Sequence, residues 1–353
     1  MALVAVPDVF VIGGGPAGLA AAIAARQRGL CVTLADGQRP PIDKACGEGM
    51  LPDGFPAARQ IGLDLDSIEH YPVRGIRFCA GDASMAADFP DGPGMGVRRT
   101  TLHREMVKLA EAHGVDLQWG RPVNELRESE ARWIVGADGA NSRVRSWAGL
   151  DDAKRDTRRF GFRLHFRVRP WSEYVEVHWG AGCQIYVTPV SEREVGIALL
   201  TSDSRLRVRE GLRQFPELWA RLDGAAETSG ERGAATSMRQ LRRVMQGNVA
   251  LLGDASGSVD AITGEGLCLG FHQAIALADA MACDDLPKYE AAHRNLARRP
   301  RFMANLLLTM DRMPKVRRPV FTLLSAYPRL FEAMLAMHVG GKQGACATLP
   351  VTR

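Results

Sequence analysis

Closely spaced cysteines, long apolar runs and abundant aromatic residues are all missing from this sequence. The seven cysteines are scattered without a CxxC pair or a cysteine–histidine cluster, so no metal site and no disulfide framework is expected. No stretch reaches the roughly 20 uncharged apolar residues of a membrane span. Asp8 and the glycines after it interrupt the apolar start, so no signal peptide is expected. These absences predict a cytoplasmic protein with reduced thiols.

The chain is nevertheless large and of ordinary globular composition. Its 353 residues exceed the roughly 250 to 300 residues at which a single hydrophobic core stops growing, so two co-folded domains are expected. Hydrophobic residues make up 46% and charged residues 24%, which excludes disordered and fibrous classes. The net charge is +5, but no aromatic platform or recognised binding motif accompanies the basic residues, so no nucleic-acid partner is expected.

The amino-terminal stretch 8–36 has the order strand, glycine turn, helix, strand, acid. An apolar run at 9–12 predicts a buried parallel strand, and a GxGxxG turn leads from it into a helix-forming run at 19–28. In this pattern the glycines permit the tight turn, the approach of a pyrophosphate and close helix packing, while the helix start presents free N–H groups to the anion. A carboxylate about 20 residues downstream suits a ribose hydroxyl. The predicted dinucleotide contacts are Gly13, Gly15, Pro16, Ala17, Gly18 and Asp36.

Two later segments distinguish FAD from NAD. An apolar strand at 248–252 runs into Gly253-Asp254, whose carboxylate suits a ribityl hydroxyl, and the turn at 263–267 offers N–H groups before a helix rich in small residues. Together with IVGADGANSRVR at 134–145, these stretches resemble the FAD-binding motifs of the para-hydroxybenzoate hydroxylase class and the related geranylgeranyl reductases. The resemblance implies FAD as cofactor. With no second GxGxxG, NAD(P)H is expected to act as a transient reductant.

The resemblance implies further cofactor contacts. The segment KACGEG at 44–49 resembles the loop that passes beside the isoalloxazine, with a cysteine as in the reductase branch. Lys44 is expected to neutralise phosphate charge and Cys46 to tune the reaction, with a small buried thiol as the alternative. Arg99 matches a polar residue that contacts the phosphates, with a surface arginine as the alternative. The implied contacts are Lys44, Cys46, Gly47, Arg99, Asp138, Asp254, Gly264, Glu265, Gly266 and Leu267.

The middle of the chain predicts an antiparallel sheet. Short β-rich runs at 160–168, 174–179, 184–188 and 195–200 alternate in polarity, and runs at 75–79 and 85–89 are expected to join them. In the resembled class such a sheet forms one wall of the substrate cavity. The residues best suited to line that wall, each also compatible with ordinary sheet packing, are Arg163, His165, Trp179 and Tyr186.

The predicted fold class is therefore α/β, a Rossmann-type FAD-binding domain, with an α+β substrate domain built on the antiparallel sheet and a C-terminal helical segment. The predicted FAD-binding domain comprises 1–75, 98–150 and 246–290; the substrate domain comprises 76–97 and 151–245; the helical segment is 291–353.

Residues 294–335 combine basic and apolar side chains at helical spacing, which predicts two amphipathic helices. Asp311 is the only acid between positions 294 and 329, and the apolar residues expected on one helical face are Phe302, Leu306, Leu307 and Met310. A solvated face packed on the body of the protein is the simpler interpretation. The alternative is a peripheral contact with an anionic membrane surface.

The reaction has three open alternatives. Stretches 98–103 and 179–189 resemble small bacterial flavoproteins that act on polyketide-derived phenols, so the favoured interpretation is a monooxygenase for an aromatic or polyketide-derived, apolar substrate. The segments DASG at 254–257 and TGEG at 263–266 instead resemble the reductase branch, which reduces alkene and prenyl double bonds. Halogenation is disfavoured, because no W-x-W-x-I-P segment is present. A non-catalytic flavin-binding protein is the third alternative.

Overall fold

A computed structural model describes residues 6–81 and 83–340, so the remaining positions of the predicted segments lie outside the described residues. The strands are β1 (Val9–Ile12), β2 (Val32–Asp36), β3 (Gly49–Met50), β4 (Tyr71–Val73), β5 (Gly75–Ala80), β6 (Ala83–Asp88), β7 (Gly94–Gly96), β8 (Asp116–Trp119), β9 (Trp133–Gly136), β10 (Ala153–Arg167), β11 (Tyr174–Trp179), β12 (Cys183–Ser191), β13 (Glu194–Thr201), β14 (Ala226–Glu227), β15 (Arg232–Leu241), β16 (Met245–Gln246) and β17 (Val249–Leu251). The helices are α1 (Pro16–Gln27), α2 (Phe55–Gln60), α3 (Arg99–Ala112), α4 (Arg143–Trp147), α5 (Val208–Leu212), α6 (Pro216–Leu222), α7 (Gly266–Ala282), α8 (Leu286–Leu296), α9 (Arg298–Arg312), α10 (Pro314–Ala326) and α11 (Pro328–Val339).

The first sheet is the parallel sheet that the glycine motif predicts. Its strand order is β16-β17-β9-β1-β2-β8, and every pairing except β16 with β17 is parallel. All four residues of β1 are buried, as expected for a central strand covered on both faces. The strands from the predicted late segment thus lie in the same sheet as the amino-terminal unit. This brings motifs more than 200 positions apart to one edge.

The second sheet forms the predicted cavity wall, in the order β14-β10-β13-β12-β11-β5-β6, with β15 also paired to β10. Its pairings are antiparallel except for β11 with β5, so the sheet is mixed and not purely antiparallel as expected. Alternate residues face opposite sides. In β10, Phe162, Leu164 and Phe166 pack with α5 and α6 in a separate core, so Gly161 and Arg163 face the other way.

Among the described residues, three helices follow α8, where the sequence predicts two. Helices α10 and α11 each begin at a proline, and the residues before these prolines, Met313 and Tyr327, have non-helical backbones with ψ angles of 78° and 76°. Proline favours the first turn of a helix and disfavours helical geometry in the residue before it, which explains both breaks. No single helix in the described residues has the length and apolar composition of a membrane span. The helix pair Lys315–Ala326 and Pro328–Val339 reaches that length and composition only when the two helices are taken together, and they are bent by 107° relative to each other.

Helix α9 also presents its residues differently from the prediction. Phe302 and Leu306 are exposed on one face, whereas Leu307 and Met310 are buried on the other. The four residues were expected on a single face. Adjacent positions are about 100° apart around a helix, so Leu306 can face solvent while Leu307 faces the core.

Candidate functional site

A cavity of about 970 Å³ lies where the two sheets and the carboxyl-terminal helices meet. Its walls come from the glycine turn before α1, the loop after β2, the second sheet, the turn before α7, and helices α9 and α11. The carboxyl ends of the parallel strands converge here, where doubly wound sheets bind their ligands. The volume is at the upper end of the range for small-molecule and cofactor sites.

The glycine turn has the geometry of a dinucleotide loop. Gly13 has a φ of +113°, and a Cβ on Gly18 would lie 1.9 Å from the Gly13 carbonyl oxygen, so both positions require glycine. Helix α1 begins directly after Gly15. In the described residues no side chain caps this helix start, so its first N–H groups can bind an anion. Asp36 accepts hydrogen bonds from the N–H groups of Gly14 and Gln38, each at 2.7 Å. Gly15, Pro16 and Ala17 line the cavity; Gly13, Gly18 and Asp36 support the loop beside it.

Charged residues implied by the resemblance also line the cavity. Lys44, Arg99, Asp138 and Asp254 all line it. Asp254 is open only toward this interior space, and burial raises the pKa of its carboxyl while the charges of Arg99 and Lys44 oppose the shift. Asp138 uses one carboxylate oxygen to accept N–H groups at the start of α4, from Arg143 at 2.7 Å, and its other oxygen is buried with no hydrogen-bond partner among the described residues.

The turn before α7 divides into open and buried parts. Gly264, Gly266 and Leu267 line the cavity, and a Cβ on either glycine would meet nothing within 4 Å, so their backbone faces open space. Helix α7 also begins without a side-chain cap. Glu265, in contrast, turns away from the cavity into a buried cluster, where its carboxylate lies 3.7 Å from Arg299 and 3.6 Å from His338. Burial raises the pKa of Glu265 to about 8. Its side chain therefore has no direct contact with the cavity.

The loop after β2 is tied to the second sheet by a chain of buried polar contacts. Glu48 accepts the Arg99 N–H at 2.9 Å and contacts His165 Nε2 at 2.5 Å. His165 Nδ1 lies 2.8 Å from the Arg163 guanidinium, which also pairs with Asp43. Because a guanidinium only donates, Nδ1 accepts and Nε2 donates its proton to Glu48. Cys46 and Gly47, between Asp43 and Glu48, line the cavity.

The four substrate candidates occupy different positions. Arg163 and Tyr186 line the cavity, and the Tyr186 hydroxyl donates to the Ile262 carbonyl at 2.9 Å. His165 is fully buried behind Glu48 and is not among the lining residues. Trp179 also does not line the cavity: its ring packs edge-on against Phe78 and Phe321, with ring centroids 5.8 and 5.9 Å apart. Helix α10 covers it, a long-range contact that strand periodicity does not reveal.

Several residues that build the site lie outside the sequence prediction, among them Glu48, His103 and Trp119. Glu48 lies within the KACGEG stretch, where an acid between two glycines is the signal that the sequence offers. In the structure the Glu48 backbone has a φ of +58°, which is uncommon for a residue other than glycine. His103 is buried and contacts the Gly14 carbonyl at 2.8 Å, so it holds the glycine turn against α3. The Trp119 ring fills the space beside Gly14, where a Cβ would lie 2.3 Å from it. For His103 and Trp119 the sequence has no local signal.

These features fit an extended dinucleotide. Two uncapped helix starts face the same cavity as Arg99 and Lys44, which suits a pyrophosphate. The carboxylate of Asp254 is open only to the cavity and suits a hydroxyl donor. Glycine backbones at 47, 264 and 266 leave room for a flat ring system against the protein.

Comparison with known proteins identifies the class. The chain belongs to the FAD binding domain family, whose profile matches residues 7–284, and it therefore binds FAD and is a flavin-dependent oxidoreductase. It is 27% identical over 320 residues to a menaquinone reductase of Mycobacterium tuberculosis, covering 80% of this chain and 78% of that protein. It is 28% identical over 356 residues to a putative 2-heptyl-3-hydroxy-4(1H)-quinolone synthase of Rhodococcus erythropolis, covering 90% and 91%. A digeranylgeranylglycerophospholipid reductase of Methanocella arvoryzae is 25% identical over 300 residues, covering 74% and 73%.

Solved structures share the fold over nearly the whole chain. The p-nitrophenol 4-monooxygenase of Pseudomonas putida superimposes with a TM-score of 0.79 at 16% identity, covering 96% of this chain and 99% of that one. A geranylgeranyl bacteriochlorophyll reductase-like protein of Thermoplasma acidophilum gives 0.74 at 18% identity, covering 94% and 99%. The predicted Rossmann-type fold with a carboxyl-terminal helical segment is thus confirmed.

Proposed function

We propose that this flavoprotein is an NAD(P)H-dependent monooxygenase that hydroxylates an aromatic or polyketide-derived substrate bearing an apolar chain. The observation that carries the proposal is that the cavity has a polar and an apolar region. The polar region is formed by Asp43 with Arg163 and Arg232, whose Nε lies 3.4 Å from the Asp43 carboxylate. The apolar region includes Phe78, packed 5.1 Å from the Phe331 ring.

The two regions suit an amphipathic molecule. Cationic side chains on the second sheet favour a phenolate or another electron-rich polar head. The remaining apolar lining favours an alkyl or prenyl chain. It is formed by Val175, Val177, Met303, Leu307, Met334 and Leu335.

The chemistry asks little of individual side chains. FAD supplies the redox chemistry, and the protein orients the substrate and excludes water. The polar chain from Asp43 through Arg163 and His165 to Glu48 holds the loop that contains Cys46, so it is suited to positioning the cofactor against the substrate. The name of the Rhodococcus erythropolis relative refers to a quinolone with a heptyl chain and a hydroxyl group, which supports this substrate class.

A second candidate is the reduction of an alkene or prenyl double bond. It is favoured by Cys46, which lines the cavity next to Gly47, and by the similarity to two proteins named as reductases. The two reactions use the same cavity and cofactor. They differ in their use of dioxygen: the monooxygenase inserts one of its oxygen atoms into the substrate, whereas the reductase does not consume it.

Isotopically labelled dioxygen separates the candidates. We would incubate the FAD-loaded protein and NADPH or NADH with pentadecylresorcinol, and in parallel with menaquinone, and analyse products by mass spectrometry. Incorporation of one labelled oxygen atom, absent without dioxygen, supports the monooxygenase. A product whose prenyl chain gains two hydrogens without label, also under anaerobic conditions and distinguished by fragmentation from a reduced quinone ring, overturns it in favour of the reductase. Flavin that neither nicotinamide reduces, with either substrate present, overturns both and leaves the flavin-binding alternative.

A further inference from the structure

The exposed apolar side chains of this protein are concentrated on three helices. Apart from Val6, the large hydrophobic residues that the described residues expose all lie on α9, α10 and α11 or at the residues that join them. They are Phe302, Leu306, Met313, Val316, Leu323, Tyr327, Leu330 and Met337. We call this set, with the cations between them, the apolar–basic face. Apolar residues grouped in this way mark an interaction site more often than residues scattered singly.

Cations without ion-pair partners lie between these apolar residues. In residues 6–81 and 83–340, three basic side chains between positions 294 and 339 form ion pairs. Arg294 pairs with Glu290. Arg299 pairs with Asp53 and Glu265, and His338 lies beside Glu265. Among the exposed cations of α9 to α11, none of the following has an acidic side chain within 4 Å in those ranges: Arg298, Arg312, Lys315, Arg318 and Arg329. The face therefore has uncompensated positive charge.

The two acids of α9 to α11, Asp311 and Glu332, do not neutralise the face, since Glu332 is the one exposed acid on these helices in the described residues, against the five exposed cations named above. Asp311 points inward, where its carboxylate lies 3.4 Å from the Arg159 guanidinium and accepts from Gln184. On α9 the exposed residues Arg298, Phe302 and Leu306 follow one another at spacings of four positions, which places them on one stripe. Apolar and basic groups thus share one side of the helix.

Another side of α9 and α11, about 100° around each helix from the exposed apolar residues, lines the cavity. Met303 and Leu307 of α9 and Phe331 and Leu335 of α11 are buried and lie among the lining residues. Helices α9 and α11 thus contribute both to the apolar–basic face and to the apolar region of the cavity. For an apolar substrate this is a short route from a lipid phase, a consequence that rests on the proposed function, whereas the surface itself does not.

We propose that the apolar–basic face binds the surface of an anionic lipid bilayer. Apolar side chains that alternate with cations match an interface of acyl chains beneath negatively charged head groups. A second copy of the chain fits less well, because a twofold interface would bring the same unpaired cations together. The bilayer is the partner whose charge and polarity complement both components of the face.

Vesicle co-sedimentation of the FAD-loaded protein tests this proposal. The probes are phosphatidylcholine vesicles with and without phosphatidylglycerol, at low and at high salt, with no substrate present. We expect binding only to the phosphatidylglycerol vesicles. We expect that binding to fall as salt rises, because exposed charges are screened within about 10 Å at 0.1 M. Since no turnover is measured, the result is independent of the proposed reaction.

Two pairs of variants locate the surface. Arg312→Gln with Lys315→Gln is expected to weaken partitioning about 30-fold at low salt, at about 1 kcal/mol for each cation. The matched control is Arg193→Gln with Arg213→Gln, which neutralises two exposed cations outside the face. Phe302→Ser with Leu306→Ser is expected to weaken binding at every salt concentration, and Val6→Ser is its control. Flavin content and circular dichroism establish that each variant is folded.

The outcomes separate cleanly. Loss of binding in both face variants with retention in both controls supports the proposal. Absence of binding to anionic vesicles at low salt overturns it, as does equal loss in the control variants. Light scattering that shows a dimer dissociated by Phe302→Ser also overturns it and assigns the face to a second copy.

Discussion

Glu48 and His165, which are 117 positions apart, contact each other at 2.5 Å at the wall of the cavity. Both side chains are buried, and the Glu48 backbone has a φ of +58°, a conformation that a glutamate rarely adopts. The second oxygen of Glu48 accepts the Arg99 N–H at the start of α3. This one carboxylate therefore connects the loop after β2, which contains Glu48, to β10 of the second sheet and to α3, which begins at Arg99.

Removing the Glu48 carboxylate is expected to destabilise the protein and loosen the cofactor. Glu48→Ala leaves His165 and the Arg99 N–H buried without their acceptor, at about 3 kcal/mol of unfolding free energy. Glu48→Gln retains an acceptor for Arg99 and should have an intermediate effect. Chemical denaturation measures the stability, and quenching of flavin fluorescence measures FAD affinity. An alanine variant as stable as the wild type, with unchanged FAD affinity, would show that the contact has no positioning role.

Asp254→Ala is expected to weaken FAD binding without unfolding the protein. A charge-assisted hydrogen bond to a ribityl hydroxyl is worth about 1.5 to 3 kcal/mol, so the dissociation constant should rise by roughly ten- to a hundredfold. Because Asp254 faces the cavity and has no structural partner comparable to that of Glu48, the melting temperature of the FAD-free protein should change little. Unaltered FAD affinity in this variant would remove Asp254 from the cofactor contacts.

Cys46→Ser is expected to change the rate of flavin reoxidation while FAD remains bound. Cys46 lines the cavity, and its sulfur accepts a hydrogen bond from the Glu48 backbone N–H at 3.4 Å. This contact holds the Cys46 side chain in place within the loop after β2. The matched control is Cys79→Ser, since Cys79 is also half-buried but does not line the cavity. Stopped-flow absorbance measures both half-reactions. If Cys46→Ser and Cys79→Ser behave alike, Cys46 is only a small packing residue.

Glu265→Gln is expected to remove a pH-dependent loss of stability. Burial, reinforced by the charge of Asp53 and opposed by Arg299, raises the pKa of Glu265 from its ordinary 4.5 to about 8. The folded protein keeps this proton at pH values where the unfolded chain has released it. The stabilisation from the protonated carboxyl is therefore complete below about pH 4.5 and is lost as the pH rises to about 8.

Chemical denaturation of both proteins across this pH range checks the expectation. The difference in unfolding free energy should shift in favour of Glu265→Gln between about pH 5 and 8 and then level off. His338 provides an internal contrast, because burial lowers its pKa to about 4, so its contribution is lost as the pH falls below its ordinary 6.5. A constant difference between the two proteins from pH 5 to 8 would contradict the raised pKa of Glu265.

Most of the residues that the sequence assigns to the cofactor line the cavity, whereas two of the four substrate candidates, His165 and Trp179, do not. The GxGxxG turn, the strand that ends near Asp254 and the open turn of Gly264 and Gly266 lie where the sequence motifs indicated, because each is a short segment whose own backbone creates the contact. Glu265 is the exception within that turn. Its side chain turns into the cluster with Arg299 and His338, which belong to helices that the motif does not include.

The sequence by itself determined the cofactor class, the alternation of the strands in the second sheet and the amphipathic character of the carboxyl-terminal stretch, because these depend on residue type and spacing within a few turns or strands. Only the tertiary structure decided that Trp179 is covered by Phe321, that Asp311 points inward to Arg159, and that His165 supports Glu48. Each of these outcomes depends on which distant element packs against a residue. Sequence periodicity tells which face a side chain occupies, but the burial and partner of that face come from long-range packing.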